Sequence, residues 1–221
     1  MPIQLNQKSW SCPNKIVARR ETIINQYRSI FGKNSVPFSR QYWTMCGQCT
    51  ELDGQFQEGC ELDQLLSEGF IQPNQFHGVD INENIIEANR KAFPGTNWYA
   101  GDFYQSLIEA HARKGFCPAV VNADFINMPM RACGYLADIM ALLSICPGEV
   151  LIIANMVLEY QRFEDRNKNA EFIIEKMNSQ PQFQFSLHKA NWMFDQKYYR
   201  YAGTGVESRT VMGSVLFYKK R

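Results

Sequence analysis

The stretch Gln75–Tyr104 limits what this chain can fold into more than any other. A short apolar run, Phe76-His77-Gly78-Val79, ends on Asp80. Ile85, Ile86, Ala88, Asn89 and Phe93 then recur at the roughly 3.6-residue rhythm of an amphipathic helix. Pro94-Gly95 stops that helix, and a second run, Asn97-Trp98-Tyr99-Ala100, ends on Asp102. Strand, acid, helix, strand, acid is half of a doubly wound α/β sheet, whose ligands bind beyond the carboxyl ends of the strands. A carboxylate offers two oxygens to two neighbouring donors, so Asp80 suits the paired hydroxyls of a ribose. Asp102, with Phe103 beside it, suits an adenine amino group with the ring flat on the base. Each acid also has a simpler use, Asp80 as the cap of the next helix and Asp102 as the start of a turn. The pair at this spacing favours a nucleoside site.

The rest of the chain extends the same alternation. Ser11-Cys12-Pro13-Asn14 reads as a helix entry and Lys15–Phe31 as a helix with Ile16, Ile23, Ile24, Tyr27, Ile30 and Phe31 on one stripe. Tyr42–Cys46 reads as the first strand with Gly47 at its tip, followed by a long polar loop, Gln48–Glu58, and a helix over Gly59–Glu68. Beyond the central stretch come a helix over Gln105–Lys114, an apolar strand over Cys117–Asp124 and a helix over Ala132–Leu143. The very apolar strand Glu149–Asn155 and a helix over Asn169–Asn178 follow. Phe183–Trp192 alternates as a strand would, and Tyr198–Ala202 and Thr210–Tyr218 flank Gly203-Thr204-Gly205 as a closing pair of strands. The expectation is a doubly wound, mostly parallel seven-stranded sheet with helices on both faces, an antiparallel C-terminal hairpin and one reversed edge strand.

Charge is uneven although the formal net is only +1. Residues 1–40 carry Lys8, Lys15, Arg19, Arg20, Arg28, Lys33 and Arg40 against the single acid Glu21. This divides the chain into a basic N-terminal arm and helix (1–40), which is a candidate lid or polyanion contact, and the α/β body (41–221). The aromatic and basic residues Trp192, Phe194, Lys197, Tyr198, Tyr199, Arg200 and Tyr201 suit base stacking, or simply one face of an edge strand. Seven cysteines at irregular spacing point to free thiols in a reducing compartment. With no apolar N-terminal run and no stretch of membrane-spanning length, the expectation is a cytoplasmic protein without a membrane partner. Cys46, Cys49 and Cys60 form only part of a zinc set, and His77, the nearest fourth candidate, lies in a strand pattern, so no metal is expected.

From Tyr42 to Tyr218 the chain resembles the class I methyltransferases that use S-adenosylmethionine. The resemblance implies that Cys46, Gly47 and Gly59 pass the methionine part of that cofactor. Asp80, with Ile81 beside it, then serves the ribose, and Asp102 with Phe103 serves the adenine. Asn122, Asp124 and Phe125 face the methyl group. Asp124 is the implied base wherever the acceptor needs deprotonation. Asn155 and Phe125 line the acceptor side. The glycine-rich run usual after the first strand is replaced by scattered Gly47, Gly54 and Gly59. That departure leaves a second reading, a catalytically silent relative that binds nucleic acid or a protein partner. The Asn122-Ala123-Asp124-Phe125 sequence differs from the Asp-Pro-Pro-Tyr type of amino-methylating enzymes, so the acceptor stays open between a small molecule and nucleic acid. A nicotinamide oxidoreductase is disfavoured by the missing Gly-x-Gly-x-x-Gly and by the final antiparallel pair.

Overall fold

The computed structural model describes residues 13–45, 47, 49, 60–125, 129–158, 175, 177–190, 192–200 and 211–220. In it the apolar runs lie side by side as strands. Strands β1 (Gln41–Met45), β2 (Phe76–Asp80), β3 (Asn97–Ala100), β4 (Pro118–Phe125) and β5 (Val150–Leu158) pair in parallel. Strands β6 (Met193–Arg200) and β7 (Val211–Lys219) pair antiparallel, and the sheet order is β3-β2-β1-β4-β5-β7-β6.

Both sheet faces are apolar because strand side chains alternate and the sheet is covered on each side. Tyr42, Val120, Ile153 and Leu216 point to a core closed by α1 (Pro13–Arg19), α2 (Gln26–Phe31), α3 (Glu61–Ser67) and α4 (Glu83–Ala92). Trp43, Val121, Ile152 and Phe217 point to the opposite core, closed by α5 (Phe103–Lys114), α6 (Pro129–Ile145) and α7 (Pro181–Ala190). The expected mostly parallel α/β sheet with an antiparallel final pair is therefore present.

Three details differ from the sequence expectation. The reversed strand β7 lies between β5 and β6 instead of at the edge. Val215, Leu216 and Phe217 are buried in turn on both faces, which an edge strand does not need, whereas β6 carries the exposed Asp195, a charge that protects an edge. Second, Phe183–Trp192 is no strand: Pro181–Ala190 is α7. Pro181 sits at its first position, where the missing N–H costs nothing, and Phe183, Ser186 and the half-buried Leu187 follow helical spacing while Phe185 is exposed. Third, the helix expected over Lys15–Phe31 is α-helical only at its two ends, with a π-helical segment at Arg20–Asn25 between α1 and α2. The wider turn lets the consecutive Ile23 and Ile24 both be buried on the face that also holds Tyr27. Of the helix expected over Asn169–Asn178, Glu175, Met177 and Asn178 are helical and the remaining residues lie outside those described.

The N-terminal helices pack on the sheet. Tyr27 meets Phe70 edge-on with ring centroids 5.3 Å apart, and the Gln64 side chain donates to the Ile16 carbonyl at 2.8 Å. Several of the basic residues have intramolecular partners. Arg20 pairs with Glu68 and Lys33 with Glu149, while Arg40 donates to the carbonyls of Cys117, Pro118 and Glu149.

Candidate functional site

Parallel strands place their polar ends on one edge of the sheet, and the two acids of the central stretch meet there. Asp80 ends β2, Asp102 follows β3, and the Gly101 N–H donates to the Asp80 carbonyl at 2.9 Å, tying the neighbouring strand tips together. Gly101 has φ 131°, a conformation open to glycine, which lets the chain turn sharply between β3 and α5.

The two acids differ in how occupied they are. The half-buried Asp80 accepts from the Asn82 N–H through Oδ1 at 2.7 Å, and among the described residues its Oδ2 accepts nothing. Burial raises its pKa, and the Asn82 hydrogen bond only partly opposes that. Such a carboxylate gains from new donors. Beside it Ile81 is 87% exposed, an apolar surface at the strand tip. Asp102 is exposed and locally employed: Oδ1 caps α5 by accepting from the Gln105 N–H at 2.8 Å, and Oδ2 accepts from the Tyr135 hydroxyl. Phe103 is buried in the second-face core, edge-on to Trp43, so its ring is committed to packing.

Asn122 and Asn155 come together on the first face with a residue that sequence reading passed over, Glu61. Glu61 stands in the first turn of α3, where a helix N-terminus favours an acid, and its Oε1 accepts from the Tyr42 hydroxyl at 2.6 Å and from Asn122 Nδ2 at 3.0 Å. Asn155 Nδ2 in turn donates to Asn122 Oδ1 at 2.8 Å, and the Ser214 hydroxyl donates to Asn155 Oδ1 at 2.5 Å. This buried chain crosses β1, β4, β5 and β7 with every donor directed towards the Glu61 carboxylate. These linked bonds hold the Glu61 carboxylate in one orientation through its Oε1. Asp124 lies one step further along β4, half-buried and level with Asn155 in register, and Phe125 ends the strand.

Gly47 and Cys49, just after β1, are bonded by another side chain that sequence reading had assigned only to a helix stripe. Asn89 of α4 is fully buried; it donates through Nδ2 to the Gly47 carbonyl at 3.3 Å and accepts through Oδ1 from the Cys49 N–H at 3.1 Å. One amide thus pairs with two backbone groups of a loop that lacks a glycine-rich turn. Cys46 and Gly59 lie outside the described residues. Removing the Asn89 amide takes one hydrogen bond from each of these backbone groups, at about 1–3 kcal/mol by the usual penalty. Asn89→Ala is therefore expected to lose about that much stability in urea denaturation, and Asn89→Asp at least as much, because it buries a carboxylate whose second oxygen faces the Gly47 carbonyl.

His77, the one candidate fourth zinc ligand, is on the wrong face to help. Cys49 and Cys60 are buried in the first-face core, whereas His77 belongs to the second face, stacked on Trp43 with ring centroids 4.6 Å apart.

No family model and no curated protein matches this sequence. Among solved structures the chain resembles the plantazolicin methyltransferase BpumL in complex with a pentazolic desmethylPZN analog and SAH, at a TM-score of 0.54 and 14% identity over 95% of this chain and 86% of that one. It likewise resembles the plantazolicin methyltransferase BamL in complex with a triazolic desmethylPZN analog and SAH, at 0.53 and 13% over 94% and 85% of the respective chains. At these identities the likeness is one of fold: the chain has the class I methyltransferase fold.

Proposed function

We propose that this protein transfers a methyl group from S-adenosylmethionine to an acceptor reached beyond β4 and β5. The observation that carries the reading is the half-buried Asp80 carboxylate at the tip of β2, with its Oδ2 accepting nothing among the described residues and exposed Ile81 beside it. In the reading, Asp80 accepts the ribose hydroxyls, Ile81 covers one side of the adenine, and Asp102 accepts the adenine amino group. Asp102 spends one lone pair of each oxygen locally, and a carboxylate has others to offer. Phe103 keeps its place in the core and contributes by holding Asp102 at the start of α5.

S-adenosylmethionine, when bound, supplies a methyl group already activated on a cationic sulfonium. The chain's part is alignment and charge. In the reading, Glu61 and Gly47 face the methionine part, and the Glu61 carboxylate suits its positive charge. Cys46 and Gly59 belong to the same proposed lining. Asn122 holds Glu61 and is held by Asn155, so both asparagines act here through Glu61. Asp124 takes the proton of an acceptor that must lose one, and Phe125 lines the acceptor side.

Arg40 is tied to the carbonyls of Cys117, Pro118 and Glu149, whereas Arg20 stays at the surface, so the acceptor is a small molecule or a nucleic acid, and residues 1–40 serve the reading as a lid-bearing segment on the 41–221 body. Free thiols at Cys49, Cys60, Cys117, Cys133 and Cys146 accord with a cytoplasmic setting, and among the described residues no helix is long and apolar enough to cross a membrane. Calorimetry with S-adenosylhomocysteine tests the reading. Saturable micromolar binding is expected; absence of heat at high ligand concentration supports the silent, partner-binding alternative instead.

A further inference from the structure

At the opposite edge of the sheet, His111, Cys117 and Cys146 converge from three different segments. His111 is in the last turn of α5, Cys117 immediately precedes β4, and Cys146 immediately follows α6. Their ligand atoms all lie within 4.8 Å of one another, with Cys146 Sγ 3.8 Å from His111 Nδ1. We propose that these three side chains form a binding site for a thiophilic divalent metal of the zinc class, distant from the strand tips that carry Asp80, Asp102 and Asp124.

The donor set argues for that class. Two thiols and an imidazole suit zinc, whereas magnesium and calcium take oxygen ligands. Three protein ligands fill three tetrahedral positions, and a water supplies the fourth, because His111 and Cys117 are both only half-buried. Ligands at about 2.3 Å for sulfur and about 2.0–2.1 Å for nitrogen sit roughly 3.5 Å apart around a tetrahedral centre, so the cluster needs to contract by about 1 Å. Side-chain rotation about Cys117 and His111 covers that distance.

The backbone around the cluster is already fixed. Arg40 Nε donates to the Cys117 carbonyl at 2.6 Å, and Lys219 Nζ donates to the Cys146 carbonyl at 2.6 Å. Bound as thiolates, Cys117 and Cys146 together balance the charge of a divalent ion. One existing contact opposes binding: His111 Nδ1 also meets the Phe116 carbonyl at 2.9 Å and must release it to ligate. A single hydrogen bond is a small loss against the affinity of a thiolate–imidazole zinc set. No sequence motif signals this site, since the ligands are brought together only by the turn of the sheet.

The test uses the full-length protein, stripped of metal and kept reduced with a non-thiol reductant, titrated with cobalt(II). One equivalent is expected to produce a near-ultraviolet thiolate-to-cobalt charge-transfer band that zinc(II) then abolishes. Cys117→Ser and His111→Ala, both at half-buried positions, are each expected to weaken cobalt binding by about tenfold or more. Cys133→Ala, a thiol elsewhere on α6, is expected to leave the titration unchanged. Zinc is also expected to raise the melting midpoint of the wild type and not of Cys117→Ser. Absence of the band, its persistence at full strength in both ligand variants, or reaction of the two thiols only as a Cys117–Cys146 disulfide overturns the proposal. Because the readout involves no methyl transfer, it stands or falls apart from the reading of the nucleoside site.

Discussion

Replacing Asp80 with asparagine is expected to weaken S-adenosylhomocysteine binding by about a hundredfold while leaving the unliganded fold at least as stable. The amide keeps an oxygen for the Asn82 N–H, so the local turn survives. What it loses is the charge, together with the ability to accept from two hydroxyls at once. Hydrogen bonds to a charged group contribute about 1.5–3 kcal/mol each, so two of them account for a hundredfold or more. Stability moves the other way because burial dominates the shift of Asp80: ionising it inside the fold costs free energy that a neutral amide does not incur. The same shift sets a pH signature. Ligand hydroxyls bind the carboxylate, so wild-type affinity is expected to decline as pH falls through a value above the usual carboxylate range. Asp80→Asn is expected to show no such decline. Calorimetry across that range reads both effects; equal affinity in the two proteins contradicts the assignment.

The second large effect concerns His77, which plays no part in the proposed chemistry. Its ring is 1% exposed, packed between Trp43, Tyr99 and Phe116, with Nδ1 3.0 Å from the Tyr99 hydroxyl. Burial first, and the charge of Lys114 second, lower its pKa to about 3. The unfolded chain titrates near the ordinary histidine value of about 6.5. Between these two pH values the unfolded state takes up a proton that the folded state refuses, so stability rises with pH there. The contribution is complete above about pH 6.5 and is lost progressively as pH falls towards 3, on the order of 5 kcal/mol in all. Urea denaturation between pH 7 and 4 is expected to show this slope in the wild type and a much shallower one in His77→Gln. Parallel slopes contradict the assignment. The acid lability is a cost of placing an imidazole in the aromatic stack that bridges β1, β2 and β3.

Much of the frame was legible because it rests on local chemistry. Strand–acid–helix–strand–acid needs only apolar runs, a Pro-Gly stop and two carboxylates, and the structure places Asp80 and Asp102 on adjacent strand ends as that pattern requires. The simpler uses of those acids were legible too, and Asp102 does cap α5. Phe183–Trp192 was misread because Phe183, Phe185 and Leu187 alternate, and only tertiary burial reveals that Phe183 and Leu187 face the core while Phe185 does not. Pro181 carried the helical signal that could have corrected it. Glu61 was hidden for a different reason. It follows a long loop, and nothing local says that its carboxylate returns to Tyr42 and Asn122. Asn89 looked like one polar residue in a helix stripe, and its two bonds to the loop exist only once α4 lies against β1. Local periodicity thus specifies elements and their tips, whereas the partners of buried polar groups are set by packing.

A crystal structure of the complex with S-adenosylhomocysteine tests the central claim most directly. The account predicts the ribose hydroxyls against Oδ2 of Asp80, with Ile81 over the adenine. A ligand bound elsewhere, or an Asp80 side chain that makes no contact with it, contradicts the account.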